Sequence, residues 1–310
     1  MKINPLFKKI AWGALFYNML VVLWGAFVRA TSSGAGCGGH WPFCNGEVIP
    51  QSPQIGTVIE FIHRVTSGLV IILAVVIFVW VWRATSKKSW LRWSAAGVLL
   101  FTITEALVGA GLVLFHLTGT DDSVTRAVVI VIHLLNTFLL LACLALTAWW
   151  ASFGEPVALT WKGFPSWLLL IVVSAMILVG ASGAITALGD TLFPATSLAQ
   201  GLQQDASTSA HFLIRLRVYH PLLAFSLAVF GGLVFRWLRG KETNPLTKRL
   251  VSGVMLLFGL QLLLGGFNVI LLAPIWMQII HLFITDLIWT GVVLVFSRNL
   301  SVFSRQFIAG

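Results

Sequence analysis

Eight stretches of this chain are apolar over about 20 residues or more, and this feature limits the fold most strongly. A helix of roughly 20 residues crosses the hydrocarbon core of a bilayer. The predicted spans cover 11–30, 58–82, 94–116, 124–150, 165–187, 211–237, 249–272 and 275–297. Only 10% of the 310 residues are charged, compared with roughly 25% in soluble domains. The sequence therefore predicts an all-α integral membrane protein with eight transmembrane helices.

Two boundaries in this assignment depend on local features. The seventh and eighth spans are separated mainly by Pro274. The first apolar run follows three lysines but lacks a clear small-residue cleavage site, so we interpret it as a span and not as a signal peptide.

The distribution of basic residues predicts the orientation. Fifteen of the 20 Lys and Arg residues, including Lys2 and Arg305, lie in alternate segments that would be cytoplasmic if the N-terminus is cytoplasmic. The other five are Arg29, Arg64, Arg126, Arg215 and Arg217. By the positive-inside rule, both termini are cytoplasmic and the loops 31–57 and 188–210 are outside. Because these charges punctuate apolar runs, the net charge of +10 indicates loop charges and not nucleic-acid binding.

The chain also contains an internal repeat. The segment 25–31 parallels 180–186, positions 97–113 match 253–269, and His63 matches His220, all at nearly constant offsets. We therefore predict two four-helix bundles, residues 1–155 and 156–310. Four spans per unit bring both units into the membrane from the same side, so a pseudo-twofold axis would lie along the membrane normal, unlike an inverted repeat.

Four of the seven histidines occupy repeat-related positions in the outer part of a span. These are His63 and His133 in the first half and His220 and His281 in the second. A single histidine in a span is explained equally well by a hydrogen bond between helices. Two per bundle at matched depth favour axial ligation of heme. The remaining histidines, His40, His116 and His211, have no counterpart, and we expect loop or interface roles for them.

Glu60 lies on the same helix face as His63 and Arg64, one turn nearer the outer side. It could move a proton or stabilise positive charge at a bound porphyrin. The plainer alternative is an ion pair with Arg64 or Arg126. The repeat places Arg217 at the position of Glu60, so only one half retains the acid.

Other polar residues have two open interpretations. Arg215 and Arg217 suit heme propionates, although contact with lipid headgroups is the plainer explanation. Glu105, which matches Gln261 in the repeat, and Asp286 lie within apolar runs. Each is expected to face the interior and pair with a polar neighbour, with a proton path as the alternative.

The cysteines also leave two alternatives open. Cys37 and Cys44 lie in a glycine-rich outer loop, where a structural disulfide is permitted and a redox-active pair is the alternative. Cys143 lies within an apolar run and is expected to be in the core.

These motifs together resemble the heme A synthases, a family that includes the mitochondrial assembly protein of cytochrome oxidase. The resemblance rests on Gly34-Ala-Gly-Cys-Gly-Gly-His-Trp-Pro-Phe-Cys44 followed by Glu60-Phe-Ile-His-Arg64, and it covers nearly the whole chain. The family oxidises a ring methyl of heme O to a formyl group by successive hydroxylations. Whether the oxygen comes from O₂ or water is left open, as is the electron donor.

The resemblance implies a role for each motif. His63 and His133 would ligate the substrate heme O, and His220 and His281 a heme b cofactor. Glu60 would act beside the methyl group, and the loop cysteines would form a disulfide. Two departures are Pro221 in place of the arginine after the ligand, and the absence of a second cysteine pair between the fifth and sixth spans.

The resemblance also implies a setting. The protein would lie in the plasma membrane of a prokaryote with its heme sites toward the outer face. Heme O, heme O synthase, cytochrome oxidase subunits and membrane lipid would be its partners, and nucleic acid would not. Two other classes of function are open: a bis-histidine membrane cytochrome b, which would not need Glu60, and a transporter, which would not need four matched histidines.

Overall fold

The computed structural model describes residues 4–302 and consists almost entirely of helices; Lys2 and Arg305 lie outside the described residues. Ten α-helices and a two-stranded sheet occur in this part of the chain. The helices are α1 (Pro5–Ala30), α2 (Ile55–Ala84), α3 (Trp90–Leu114), α4 (Val124–Phe153), α5 (Phe164–Leu192), α6 (Leu198–Ala206), α7 (Phe212–Arg217), α8 (Tyr219–Lys241), α9 (Pro245–Ile270) and α10 (Ile275–Leu300).

Within residues 4–302, eight helical segments are long and apolar enough to cross a membrane, which confirms the predicted number and the all-helical class. The sixth consists of α7 and α8, which follow each other across Val218. Pro221 falls in the first turn of α8, where a missing N–H breaks no helical hydrogen bond. Pro274 is the N-cap of α10, so the predicted separation of the last two spans is confirmed.

Several helix ends differ from the predicted ones because polar residues take part in the end turns. α1 begins at Pro5, where the side chain of Asn4 accepts a hydrogen bond from the Leu6 N–H at 2.9 Å. α5 continues to Leu192, five residues beyond the predicted end at 187. The outer loop predicted at 188–210 is therefore shorter, and it contains the additional helix α6.

Helix contacts follow the order of the chain within each half. α1 and α3 both contact α2 and α4, while α5 and α9 both contact α8 and α10. Across the middle, α4 packs against α5 and α10, and α1 also contacts α10. One hydrophobic core extends through both sets of helices. At its centre Phe138 of α4 stacks on Trp289 of α10, and the indole N–H donates to the Phe138 carbonyl at 2.6 Å.

Arg29 joins the two sets of helices at the other end of α1 from Pro5. Its guanidinium donates to the Ala187 carbonyl at 2.5 Å, to the Thr191 hydroxyl at 2.6 Å and to the Gln278 side-chain oxygen at 2.8 Å. The acceptors belong to α5 and α10. From the sequence, Arg29 is only one of the five outer basic residues. The structure shows that it forms hydrogen bonds with two other helices, α5 and α10.

Arg29→Met should destabilise the protein, because it removes three charge-assisted hydrogen bonds between helices far apart in sequence. We expect a loss on the order of 3 kcal/mol, measured as a lower midpoint of thermal unfolding in detergent. Arg236→Met, at an exposed position on α8, is the matched control and should leave the midpoint nearly unchanged. Equal midpoints for the two variants would contradict this role of Arg29.

A short antiparallel sheet joins the segment between α4 and α5 to the residues after α10. Strand β1 (Ala158–Leu159) pairs with β2 (Ser301–Val302). Nearby, the Lys162 ammonium donates to the Ser301 carbonyl at 3.1 Å, and burial lowers the pKa of this lysine. The sheet lies at the opposite end of the helices from the loop that contains Cys37 and Cys44.

Candidate functional site

Each of the four repeat-related histidines packs against a glycine of the neighbouring helix. In the first half, a Cβ atom added to Gly25 would lie 3.0 Å from Cε1 of His63, and one added to Gly109 would lie 3.8 Å from Cε1 of His133. The absence of a side chain at Gly25 therefore lets the His63 ring lie directly against the backbone of α1, whereas a Cβ at Gly109 would be in ordinary van der Waals contact with His133.

The second half repeats this arrangement. A Cβ atom at Gly183 would lie 2.9 Å from Cε1 of His220, and one at Gly265 would lie 3.4 Å from Cε1 of His281. Gly180, which the sequence repeat aligns with Gly25, faces the ring of Phe138 instead. The register of the repeat in α5 is therefore three residues later than predicted.

The rings of His220 and His281 are spaced as two ligands of one ion would be. Their centres are 6.4 Å apart and their planes are inclined by 78°. An imidazole–metal bond is about 2 Å long, so an ion between two ring nitrogens would hold the ring centres roughly 6 Å apart. This pair thus brings imidazoles from two different helices, α8 and α10, together.

Several nitrogens of the four histidine rings form no hydrogen bond with the protein. The buried Nδ1 atoms of His63, His133 and His281 have no hydrogen-bond partner in the described structure, whereas Nδ1 of His220 lies 3.1 Å from the Ser182 hydroxyl. Heme iron needs only two axial ligands from a protein. Residues 4–302 contain no cluster of three or more His, Cys, Asp or Glu that could hold a metal. The donor set fits heme better than a metal ion held by side chains alone.

Glu60 is buried one turn before His63 on α2, and both of its carboxylate oxygens are engaged. Oε1 accepts hydrogen bonds from Nε and Nη2 of Arg64 at 3.1 and 2.5 Å, and Oε2 accepts from the Cys37 N–H at 2.8 Å. Of the two predicted ion-pair partners, Arg64 is the one observed. Arg126 instead donates to the backbone carbonyls of residues 119 and 121.

The loop between α1 and α2 is closed by a disulfide between Cys37 and Cys44. Its carbonyls are also held by α2: Arg64 donates to the His40 carbonyl at 2.6 Å and to the Phe43 carbonyl at 2.7 Å. The Thr57 hydroxyl donates to the Gly36 carbonyl at 2.7 Å. Arg64 and Glu60 therefore fasten the disulfide loop to the helix that carries His63.

The two arginines considered for propionates lie in different surroundings. Arg217 pairs with Asp190 at 3.2 Å and with Asp205 at 2.6 Å, whereas Arg215 is exposed. The first pair reaches α5, and the second fastens the short helix α6 over the end of the span. The guanidinium of Arg217 thus already has two carboxylate partners.

Two acids within the spans lie in contrasting environments. Glu105 contacts donors on α4, and Nδ1 of His133 lies 3.3 Å from its Oε1. Asp286 of α10 is fully buried, and neither of its oxygens has a hydrogen-bond partner in the described structure. The expectation of a polar neighbour is met for Glu105 but not for Asp286.

The remaining histidines lie in outer loops or at a helix cap, and the third cysteine lies within α4. His40 is in the disulfide loop, the His116 ring packs against Gly39 of that loop, and His211 lies 3.5 Å from Asp122 as the N-cap of α7. Cys143 is a free, partly buried thiol.

Residues 8–293 match the family model described as cytochrome oxidase assembly protein, COX15-CtaA. The chain belongs to this family. Across 301 residues it is 30% identical to a heme A synthase of Halalkalibacterium halodurans, an alignment that covers 92% of this chain and 95% of that protein. It is also 40% identical to a heme A synthase of Alkalihalophilus pseudofirmus over 97 residues, which are 31% of this chain and 33% of that protein.

A more similar relative has a different name. The chain is 51% identical over 282 residues to a protoheme IX farnesyltransferase of Thermus thermophilus. The alignment covers 90% of this chain but 46% of the relative. This chain therefore spans about half the length of the Thermus protein, and that name describes a protein with a long additional part.

Three parts of the candidate site are absent from the sequence-based prediction. These are the glycines behind the histidines, the bond from the Cys37 N–H to Glu60, and the polar residues of α4 around Glu105. Gly109 and Gly265 are both part of the sequence repeat, and each lies on the helix that precedes the one with His133 or His281. The sequence therefore contained a signal for these two glycines. The Cys37 contact depends on the loop conformation and leaves no periodic pattern in the sequence.

Proposed function

We propose that this chain is a heme A synthase, an oxidoreductase that converts a ring methyl of heme O to a formyl group by successive hydroxylations. The observation that carries the proposal is the set of four glycine-backed histidines, two in each half. The long alignment with a heme A synthase supports it. Heme analysis of cells that make heme O, with and without this chain, tests it directly.

We propose that residues 1–155 and 156–310 are two four-helix bundles related by a pseudo-twofold axis along the membrane normal. The matching helix contacts and histidine–glycine pairs of the two halves support this symmetry. The distribution of basic residues supports cytoplasmic termini. The histidines would then lie toward the outer face of a prokaryotic plasma membrane.

In this proposal the first half binds the substrate and the second half binds the cofactor. His63 and His133 would ligate heme O, and His220 and His281 would ligate heme b. The heme irons, when bound, supply the oxygen and electron chemistry. The protein positions the substrate and keeps the second pair for a permanent cofactor, consistent with the presence of Glu60 in the first half only.

Glu60 is the residue that we propose to act beside the methyl group. It lies one turn from His63 on the same helix face, and Arg64 and the Cys37 N–H hold its carboxylate in a fixed position. A fixed carboxylate can stabilise positive charge that develops on the porphyrin edge, or hold a proton there. The disulfide loop would then serve to position this acid.

Propionate binding by Arg215 and Arg217 remains a prediction. Arg215 is exposed and open to an anionic partner, whereas Arg217 would have to share its guanidinium with Asp190 and Asp205. Heme O synthase and cytochrome oxidase subunits remain the proposed partners that supply the substrate and receive the product.

The second candidate function is electron transfer as a bis-histidine cytochrome b. The same histidine pairs favour it, but an electron carrier has no need for a buried, oriented Glu60. The name of the Thermus relative suggests prenyl transfer, yet this chain matches less than half of that protein.

Gly183→Ala should weaken heme binding in the second half, because its Cβ would lie 2.9 Å from the His220 ring. We expect a lower heme content and an altered absorption spectrum in the purified protein. Gly232→Ala on α8, where nothing lies within 4 Å of the added atom, is the control and should retain its heme. Full retention of an unchanged heme by the Gly183 variant would contradict this use of the glycine.

A further inference from the structure

Glu105 and Gln261 occupy equivalent places beside the last histidine of each half. Each lies four residues before the glycine that faces this histidine, Gly109 or Gly265. Each also contacts the threonine four residues after the histidine, Thr137 or Thr285, and in both cases the threonine hydroxyl also donates to the carbonyl of its histidine. The two surroundings differ in the carboxylate of Glu105 against the amide of Gln261, and in Asn136, whose counterpart three residues after His281 is Ile284.

The Glu105 carboxylate is held by donors on two sides. Oε2 accepts from the Asn136 amide at 2.5 Å, and Oε1 accepts from the Thr137 hydroxyl. Asn136 is fixed in turn, since its amide oxygen accepts from the Thr104 hydroxyl at 2.6 Å and its NH₂ group donates to the Phe101 carbonyl at 2.8 Å. The carboxylate thus has a defined position within a membrane span.

Glu105 is also the acid nearest to the free nitrogen of His133. Its Oε1 is 3.3 Å from Nδ1, at ion-pair distance, without forming a hydrogen bond in the structure. Nδ1 is otherwise buried without a hydrogen-bond partner. A small rotation of the ring would let Nδ1–H donate to the carboxylate and leave Nε2 free as a ligand.

Gln261 contacts His281 differently and carries no charge. Its NH₂ group donates to the Thr285 hydroxyl at 2.7 Å and to the His281 carbonyl at 3.1 Å, and it lies 3.0 Å from Nε2 of His281. Its side-chain oxygen has no hydrogen-bond partner in the described structure. The second half therefore presents a neutral amide where the first half presents an anionic acceptor.

From this contrast we infer that Glu105 is a positioning residue, which orients His133 through Nδ1 and lowers the reduction potential of heme held by His63 and His133. The inference rests on the proposed function, because it requires heme at that pair. A carboxylate that accepts from a ligating histidine fixes its tautomer and makes it a stronger donor. A nearby negative charge also favours the more positive, oxidised iron. The amide at Gln261 would leave the second heme with a higher potential.

The test is an optical redox titration of the purified full-length protein with its bound hemes. The heme that disappears in His133→Ala identifies the first site. Glu105→Gln should raise the potential of this heme and leave the other unchanged, and Gln261→Glu should lower the potential of the other. Glu105→Ala should also weaken retention of the first heme by about 10- to 100-fold.

Thr102→Val is the matched control on the same helix, because its hydroxyl donates only to the Val98 carbonyl of its own helix; it should move neither potential. An unchanged potential of the first heme in Glu105→Gln, or equal shifts of both hemes, would overturn the inference while leaving the proposed function intact. Wild-type protein that binds no heme would overturn both.

Discussion

His133→Ala should abolish formation of heme A, because the substrate heme would lose one of its two axial ligands. We expect the product yield to fall by at least about 100-fold, since residues that merely support a ligand already contribute 10- to 100-fold. The heme held by His220 and His281 should remain. Comparing extracted hemes with the absorption spectrum of the purified variant measures both effects.

The other histidines provide the controls for this experiment. His116, which packs against the disulfide loop, has no counterpart in the second half, and His116→Ala should leave both bound hemes in place. His281→Ala should remove the heme of the second half and leave His63 and His133 able to bind heme O. If His133→Ala still formed heme A at the wild-type rate, the assignment of the first pair to the substrate would be wrong.

Glu60→Gln should retain both hemes and lose the oxidation of the methyl group. Glutamine has nearly the same shape, so it can still accept the Cys37 N–H, but it carries no charge and cannot take up a proton. A positioned acid or base contributes roughly 10²- to 10⁴-fold to a rate, and we expect a loss in this range. Heme A and its hydroxylated precursor would be quantified by mass analysis.

A second effect of this substitution is structural, because Arg64 would lose its buried partner. Breaking one side of a buried ion pair costs about 3–5 kcal/mol, so the disulfide loop should loosen and the unfolding midpoint should fall. Glu155→Gln is the matched control: this carboxylate accepts from the Ser89 hydroxyl and the Leu91 N–H, at the other end of the helices. A Glu60 variant with lower stability and unchanged product formation would assign this acid a purely structural role.

The membrane-spanning architecture was the part most accessible from sequence. Span number depends on the length and apolarity of each run, which the sequence contains directly. Helix ends were less accessible, because they depend on caps such as Asn4 and on polar end turns such as the last turn of α5. The break between α7 and α8 at Val218 falls inside the predicted sixth span, 211–237.

The sequence predicted which residues form the candidate site, because they occur at matched positions in the two halves. It did not predict most of the contacts that these residues make. The pair of Glu60 with Arg64 follows from helical spacing, and it was one of two partners considered. Gly180 and Gly183 are each followed by alanine and are separated by nearly one helical turn. Sequence matching therefore could not decide which of them replaces Gly25, whereas the contact with His220 does.

Long-range contacts of polar residues were the least predictable part. Arg29 is separated from its acceptors on α5 and α10 by more than 150 residues. The residues around Arg29 in the sequence do not indicate these partners. The donors around Glu105 depend on how α3 and α4 face each other. The partners of buried polar groups are set by helix packing, which periodicity alone does not determine.

The measurement that tests the central claim most directly is mass analysis of hemes extracted from membranes of cells that make heme O, with and without this chain. We predict that heme A, or its hydroxylated precursor, is found only in cells that contain the chain, and that Glu60→Gln lowers its formation by roughly 10²- to 10⁴-fold. If the purified protein binds heme b while heme O remains unchanged in the presence of oxygen and a reductant, the heme A synthase assignment is contradicted and a cytochrome b takes its place.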